Sequence, residues 1–157
     1  LSFAYAVWFL QASLSRELSN VKLNDSLFIS RRLFGKELPQ EVNRVCDLSS
    51  EFSDPARIRR LSGYLCYPIL DASTCDPSTL IELAKSLPPM PDSPLLIHCA
   101  NGHGRTGMFA AIWLLTHGFA QDAAQAIQLL KAARPQLKLG TDQHATVENA
   151  AAILTRQ

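Results

Sequence analysis

The chain has no excess of either charge. Its 157 residues hold 15 Lys and Arg against 14 Asp and Glu, a formal charge of +1. Without a basic stripe there is no electrostatic footprint for nucleic acid. The four cysteines, Cys46, Cys66, Cys75 and Cys99, fall in no metal-ligand spacing and make no secretory disulfide framework. Free thiols fit a reducing compartment, and a cytoplasmic location is expected. Internal repeats and low-complexity tracts are absent. The apolar opening, Leu1 to Leu10, falls short of the roughly 20 residues that span a bilayer. It also lacks the basic start and cleavage site of a signal peptide.

What is present is enough for one globular domain, with 47% hydrophobic residues. Apolar patterning and turn signals predict a helical stretch over Leu1–Leu18 and strands at Leu27–Ile29, Glu41–Asp47 and Tyr64–Ile69. A helix over Pro77–Leu87 stops at Pro88-Pro89-Met90-Pro91. A central strand follows at Leu95–His98, then helices over Arg105–His117, Asp122–Ala133 and Thr141–Leu154. Alternating strands and helices predict a single α/β domain with a mainly parallel central sheet flanked by helices. The stretch after Met108 is apolar all round, the mark of a helix buried in the middle of a fold.

Between that strand and that helix runs His98-Cys99-Ala100-Asn101-Gly102-His103-Gly104-Arg105-Thr106-Gly107. A loop from a strand into a helix N-terminus curls its backbone N–H groups inward and suits a tetrahedral dianion. A thiol aimed into such a cradle is favoured as thiolate, the nucleophilic form. Arg105 offers a planar fork for two phosphate oxygens. Gly102 and Gly104 permit positive φ and close approach of amides to an anion. Thr106 can donate a hydrogen bond to the sulfur when it leaves, and His98 can tie the loop down from the strand side.

This segment resembles the signature His-Cys-x-x-Gly-x-x-Arg-Ser/Thr of the cysteine-dependent protein tyrosine phosphatase superfamily. The short chain and the position of the loop past its middle resemble the dual-specificity branch. The resemblance covers about residues 25–153. It implies Cys99 as nucleophile, Arg105 and the loop positions Ala100, Asn101, Gly102, His103 and Gly104 as phosphate-binding, and Thr106 and His98 in support. No cofactor or metal is implied.

A thiolate attack needs an acid to protonate the leaving group. Asp71, closing the strand Tyr64–Ile69 and standing 28 positions before Cys99, fits the separation that compact dual-specificity phosphatases use. Asp76 is the rival, but before Pro77 it reads as a helix N-cap. In several relatives a glutamine near the start of a C-terminal helix orients the hydrolytic water. Gln143 stands in a comparable place, and ordinary first-turn residence behind Thr141 or Asp142 is the alternative. Cys66 or Cys75 pairing reversibly with an oxidised Cys99 is a further alternative to inert thiols.

Two segments are expected. Residues 1–20 form an apolar helical stretch, either docked on the domain or the end of a membrane-associated region of a longer protein. Residues 21–157 form the catalytic domain. The expected substrates are phosphotyrosine and phosphoserine or phosphothreonine of proteins. A phosphoinositide or other lipid phosphate is the alternative, because His103 can be partly cationic. An inactive phosphate-binding module is a minor one. The partner is thus a phosphorylated protein or phospholipid, with membrane attachment open.

Overall fold

The computed structural model describes residues 3–157. Leu1 and Ser2 of the expected N-terminal helix lie outside them. Helix α1 (Phe3–Leu14) carries no charged residue and ends where Ser15 N–H donates to the Gln11 carbonyl, four residues short of Leu18.

Five strands form one sheet in the order β1-β2-β5-β3-β4: β1 (Asn20–Asn24), β2 (Leu27–Arg31), β3 (Arg44–Ser49), β4 (Gly63–Ile69) and β5 (Leu95–Cys99). Only the β1–β2 pair is antiparallel. β5 therefore lies at the centre, between β2 and β3. Every residue of β2 and β5 is buried, as expected of a parallel sheet covered on both faces.

Two elements escape the sequence reading. β1, Asn-Val-Lys-Leu-Asn, is a half-buried edge strand whose alternation is only two apolar residues long, Val21 and Leu23, both packed against the main core. α2 (Ala56–Arg59) is a single turn. β3 begins at Arg44 rather than Glu41, because Val42 N–H closes a turn onto the Pro39 carbonyl.

On one face α3 (Pro77–Lys85), α4 (Gly104–Thr116), α5 (Ala123–Ala133) and α6 (Thr141–Thr155) pack over the main core. On the other, Phe28, Leu33, Val42, Val45, Ile58 and Leu96 form a smaller one. α4 is buried from Arg105 through Leu115, matching its all-round apolar sequence. Its Trp113 Nε1–H donates to the Leu87 carbonyl at 2.7 Å. α3 starts as the sequence predicts, with Asp76 accepting from Thr79 N–H and Pro77 in the first turn. The loop from Cys99 to Gly104 is thus held between the central strand and a helix that cannot shift.

Candidate active site

The carboxyl end of β5 delivers Cys99 and the N-terminus of α4 delivers Arg105, at the edge of a parallel sheet where ligands bind in such folds. Cys99 is buried, and its Sγ accepts hydrogen bonds from Gly102 N–H (3.3 Å) and Thr106 Oγ1–H (3.1 Å). Gly102 has φ +73°. A Cβ there would lie 2.6 Å from both Arg31 N and Ser30 O, so the turn needs glycine for its φ and for its seat against β2.

Asp71, Cys99, Asn101, His103, Gly104, Arg105 and Gln143 line one cavity of about 250 Å³. Ala100 and Gly102 shape the loop without lining it. The cavity brings together side chains that the sequence spreads over 72 positions.

Arg105 is fully buried and its fork is oriented by partners on three segments. Nη1–H donates to the Ile69 carbonyl and to Glu51 Oε2, both at 2.8 Å. Nη2–H donates to Glu51 Oε1 at 2.6 Å and lies 3.0 Å from Asp71 Oδ1. Burial disfavours the guanidinium charge, but the Glu51 hydrogen bonds and the negative charge of Cys99, Glu51 and Asp71 outweigh it and raise its pKa. Burial likewise pushes the Glu51 carboxyl up, yet the hydrogen bonds and charge of Arg105 hold it at about 2. Asp71 sits in the turn after β4, with its side chain 76% exposed. An acid so placed can reach the mouth of the cavity.

Behind the loop lies a buried polar network. His98 Nε2 is 2.8 Å from Asp54 Oδ2 and 3.7 Å from Asp47 Oδ1, while Nδ1 faces the Cys99 carbonyl at 3.3 Å. Both ring nitrogens face acceptors, which suits the imidazolium. Burial opposes that charge, but the Asp54 hydrogen bond and the Asp54 and Asp47 charges prevail and raise the pKa. Asp47, Asp54 and His98 are also the group whose ligand-type atoms converge among the described residues. Most of their atoms are engaged: Asp47 accepts from Ser49 N–H and Tyr64 O–H, both within 2.9 Å, and Asp54 Oδ2 takes His98, while the buried Asp54 Oδ1 accepts no hydrogen bond and lies 3.8 Å from Arg32 Nε. A hydrogen-bonded support for the loop accounts for them.

His103 turns from the anion position toward Glu17, with Nε2 3.4 Å from Oε2. Burial lowers its pKa; Glu17 opposes this, and Arg134 and Lys138 reinforce it. The ring is therefore a weaker cationic feature than the sequence suggests. Gln143 lines the cavity, but its amide is engaged: Oε1 accepts from Gly140 N–H (2.9 Å) and Nε2–H donates to the Ser73 carbonyl (3.1 Å). It ties the Asp71 turn to the start of α6. Asp76 stays on the α3 cap.

Sequence reasoning misses Glu51, Asp54 and Trp8. Their partners, Arg105, His98 and Ala100, lie 54, 44 and 92 positions away. The available signal is indirect: a buried arginine requires a carboxylate, and Glu51 follows the end of β3, beside β5.

The model of the family described as "Swiss Army Knife protein, DSP-PTPase phosphatase domain" matches residues 54–152, more than half the chain. No curated protein sequence matches significantly. Among solved structures, the active form of Tk-PTP is similar with a TM-score of 0.71 and 20% identity, covering 85% of this chain and 97% of that one. Human DUSP28 is similar with a TM-score of 0.70 and 20% identity, over 87% and 99% of the two chains. PTPMT1 in complex with PI(5)P is similar with a TM-score of 0.71 and 13% identity, over 88% and 97%. At these identities the likeness is one of fold.

Proposed function

Because the chain belongs to the DSP-PTPase phosphatase domain family, the dual-specificity-like branch of the cysteine-dependent protein tyrosine phosphatase superfamily, we propose that it hydrolyses phosphate monoesters of proteins through a phosphocysteine. The observation that carries this is the convergence of Cys99, Arg105 and Asp71 on one cavity. In the first step Cys99 Sγ attacks phosphorus, the P–O bond to the leaving group breaks, and Asp71 gives that oxygen its proton. Loop amides and the Arg105 fork hold the equatorial oxygens. A phosphate drawing on Arg105 Nη2 competes Asp71 away from it and frees the acid to face the leaving group. In the second step the Asp71 carboxylate takes a proton from water, which attacks phosphorus and releases inorganic phosphate. Thr106 Oγ1–H, 3.1 Å from the sulfur, stabilises the thiolate as it departs. Gln143 at the cavity wall is the candidate for orienting that water.

A groove of about 590 Å³ runs outward from Asp71 and Asn101 past Trp8, Phe52 and Leu70. Since Asp71 marks the leaving-group side, the groove receives whatever bears the phosphate. An aromatic phosphoresidue and its apolar neighbours suit it, which favours phosphotyrosine. A second reading, a lipid phosphate, draws on the exposed apolar residues Phe3 and Val7 of α1, which line the groove. Among the described residues no helix is long and apolar enough to cross a membrane.

The test is a substrate panel with the wild type and Cys99→Ser. Turnover of an aryl phosphate and of phosphotyrosine peptides, lost at least 1,000-fold in Cys99→Ser, is expected. Turnover unchanged by that substitution would overturn the reading, and preference for phosphoinositide vesicles over peptides would select the lipid alternative.

A further inference from the structure

The carbonyls of the catalytic loop are fastened from outside, and the fastening of one comes from an unexpected quarter. The Ala100 carbonyl accepts Arg32 N–H from the segment after β2 at 3.1 Å, and also the indole Nε1–H of Trp8 in α1 at 2.9 Å. Trp8 is the one residue of α1 that is buried. Its ring is fixed on several sides: the Arg32 guanidinium 4.9 Å from its centroid, Phe34 at 5.6 Å and Phe52 at 5.8 Å.

A trans peptide is planar, and its C=O and N–H point in opposite directions. No peptide bond in the described residues is cis. Holding the Ala100 carbonyl outward therefore holds the Asn101 N–H toward the side of the loop on which the cavity lies. His98 holds the Cys99 carbonyl in the same manner, which orients the Ala100 N–H. If the 100–101 peptide rotated, the cradle would present a carbonyl oxygen to an incoming anion, turning an attraction into a repulsion.

We propose that Trp8 is a positioning residue for the anion cradle, and that α1 therefore belongs to the catalytic unit. Trp8 touches no reacting atom; it acts through the 100–101 peptide. The inference rests on the reading of this loop as a phosphate cradle but not on turnover, so binding of inorganic phosphate is the appropriate probe.

Trp8→Phe keeps an aromatic ring in the slot and removes the donor. Loss of one neutral hydrogen bond predicts phosphate binding about five-fold weaker by calorimetry. Phe9→Ala serves as the control, because Phe9 lies in the same helix and packs on Phe34 at 5.5 Å but carries no donor for a loop carbonyl. It is expected to lower the melting temperature while phosphate affinity stays within two-fold of wild type. In the wild type, phosphate should also slow hydrogen exchange of the Trp8 indole, since two events that favour one conformation must favour each other. This measurement stands even if Trp8→Phe does not fold.

Three results overturn the inference: unchanged phosphate affinity in Trp8→Phe, an equal loss in Phe9→Ala, or indole exchange indifferent to phosphate. Absence of turnover with phosphate binding still sensitive to Trp8→Phe would defeat the proposed function and leave the positioning role intact.

Discussion

Arg105 and Asp71 share a contact that the roles proposed for them require them to break. Asp71 Oδ1 lies 3.0 Å from Arg105 Nη2, yet as the proposed general acid it must turn to the leaving group. Glu51 makes this exchange affordable: its two oxygens keep the fork planar and oriented when Asp71 departs. Asp71→Asn should slow turnover of an alkyl phosphate about 100-fold or more, the usual contribution of a general acid. It should slow an aryl phosphate with a good leaving group much less. Asp76→Asn should leave both rates near wild type and change stability by no more than about 0.5 kcal/mol, because an asparagine Oδ1 can still accept the Thr79 N–H at the cap. A collapse of turnover in Asp76→Asn with Asp71→Asn unaffected would reverse the assignment.

At the scale of the element, the strand–loop–helix unit joins two rigid pieces by a turn with no slack. β5 is buried along its length and α4 is buried from Arg105 to Leu115. The loop must therefore absorb all of the change in direction, and Gly102 absorbs it at φ +73° while touching β2 backbone. Gly102→Ala adds a Cβ to a strained φ and to a space already filled by Ser30 and Arg31. It should destabilise the fold by about 1–3 kcal/mol and weaken phosphate binding together with turnover. Thermal melts beside phosphate titration check this. A variant as stable and as active as wild type would show that the loop has room the geometry denies it.

For the whole molecule, two charged groups, the solvent-accessible Glu51 and the buried His98, set opposite arms of the pH profile. Glu51 is held at about 2, below its ordinary 4.5. Its contribution is full above the unfolded value and is lost as pH falls from about 4.5 toward 2; screened by solvent at this accessible site, it amounts to about 1 kcal/mol. His98 is raised above its ordinary 6.5. Its contribution is full below that value and is lost as pH rises through the folded one. Stability should therefore crest in the weakly acid range and decline on both sides. Denaturant titrations across pH should show the acid arm flattened in Glu51→Gln and the upper arm flattened in His98→Gln. Unchanged arms in these variants would mean that other groups set the profile.

Chemistry written within one short segment was legible in the sequence. Cys99, Arg105, Thr106 and the glycines stand within eight positions, and local backbone geometry alone brings them together. The same holds for the Asp76–Pro77 cap and the all-round apolar α4. The edge strand β1 escaped the reading because its alternation, Val21 and Leu23 between polar residues, spans only five positions, and pairing with β2 is what fixes it as a strand. Glu51, Asp54 and Trp8 were not legible either. Each matters through a partner more than 40 positions away, and composition at their own positions carries no trace of it. The sequence by itself determined the Cys99–Thr106 loop, its place between a buried strand and a buried helix, and the class of fold, since these follow from periodicity and from contacts between near neighbours. Only the tertiary structure decided which carboxylate steadies the arginine, which imidazole and indole hold the loop carbonyls, and that a groove opens outward from Asp71, because those depend on side chains that meet only when the sheet closes.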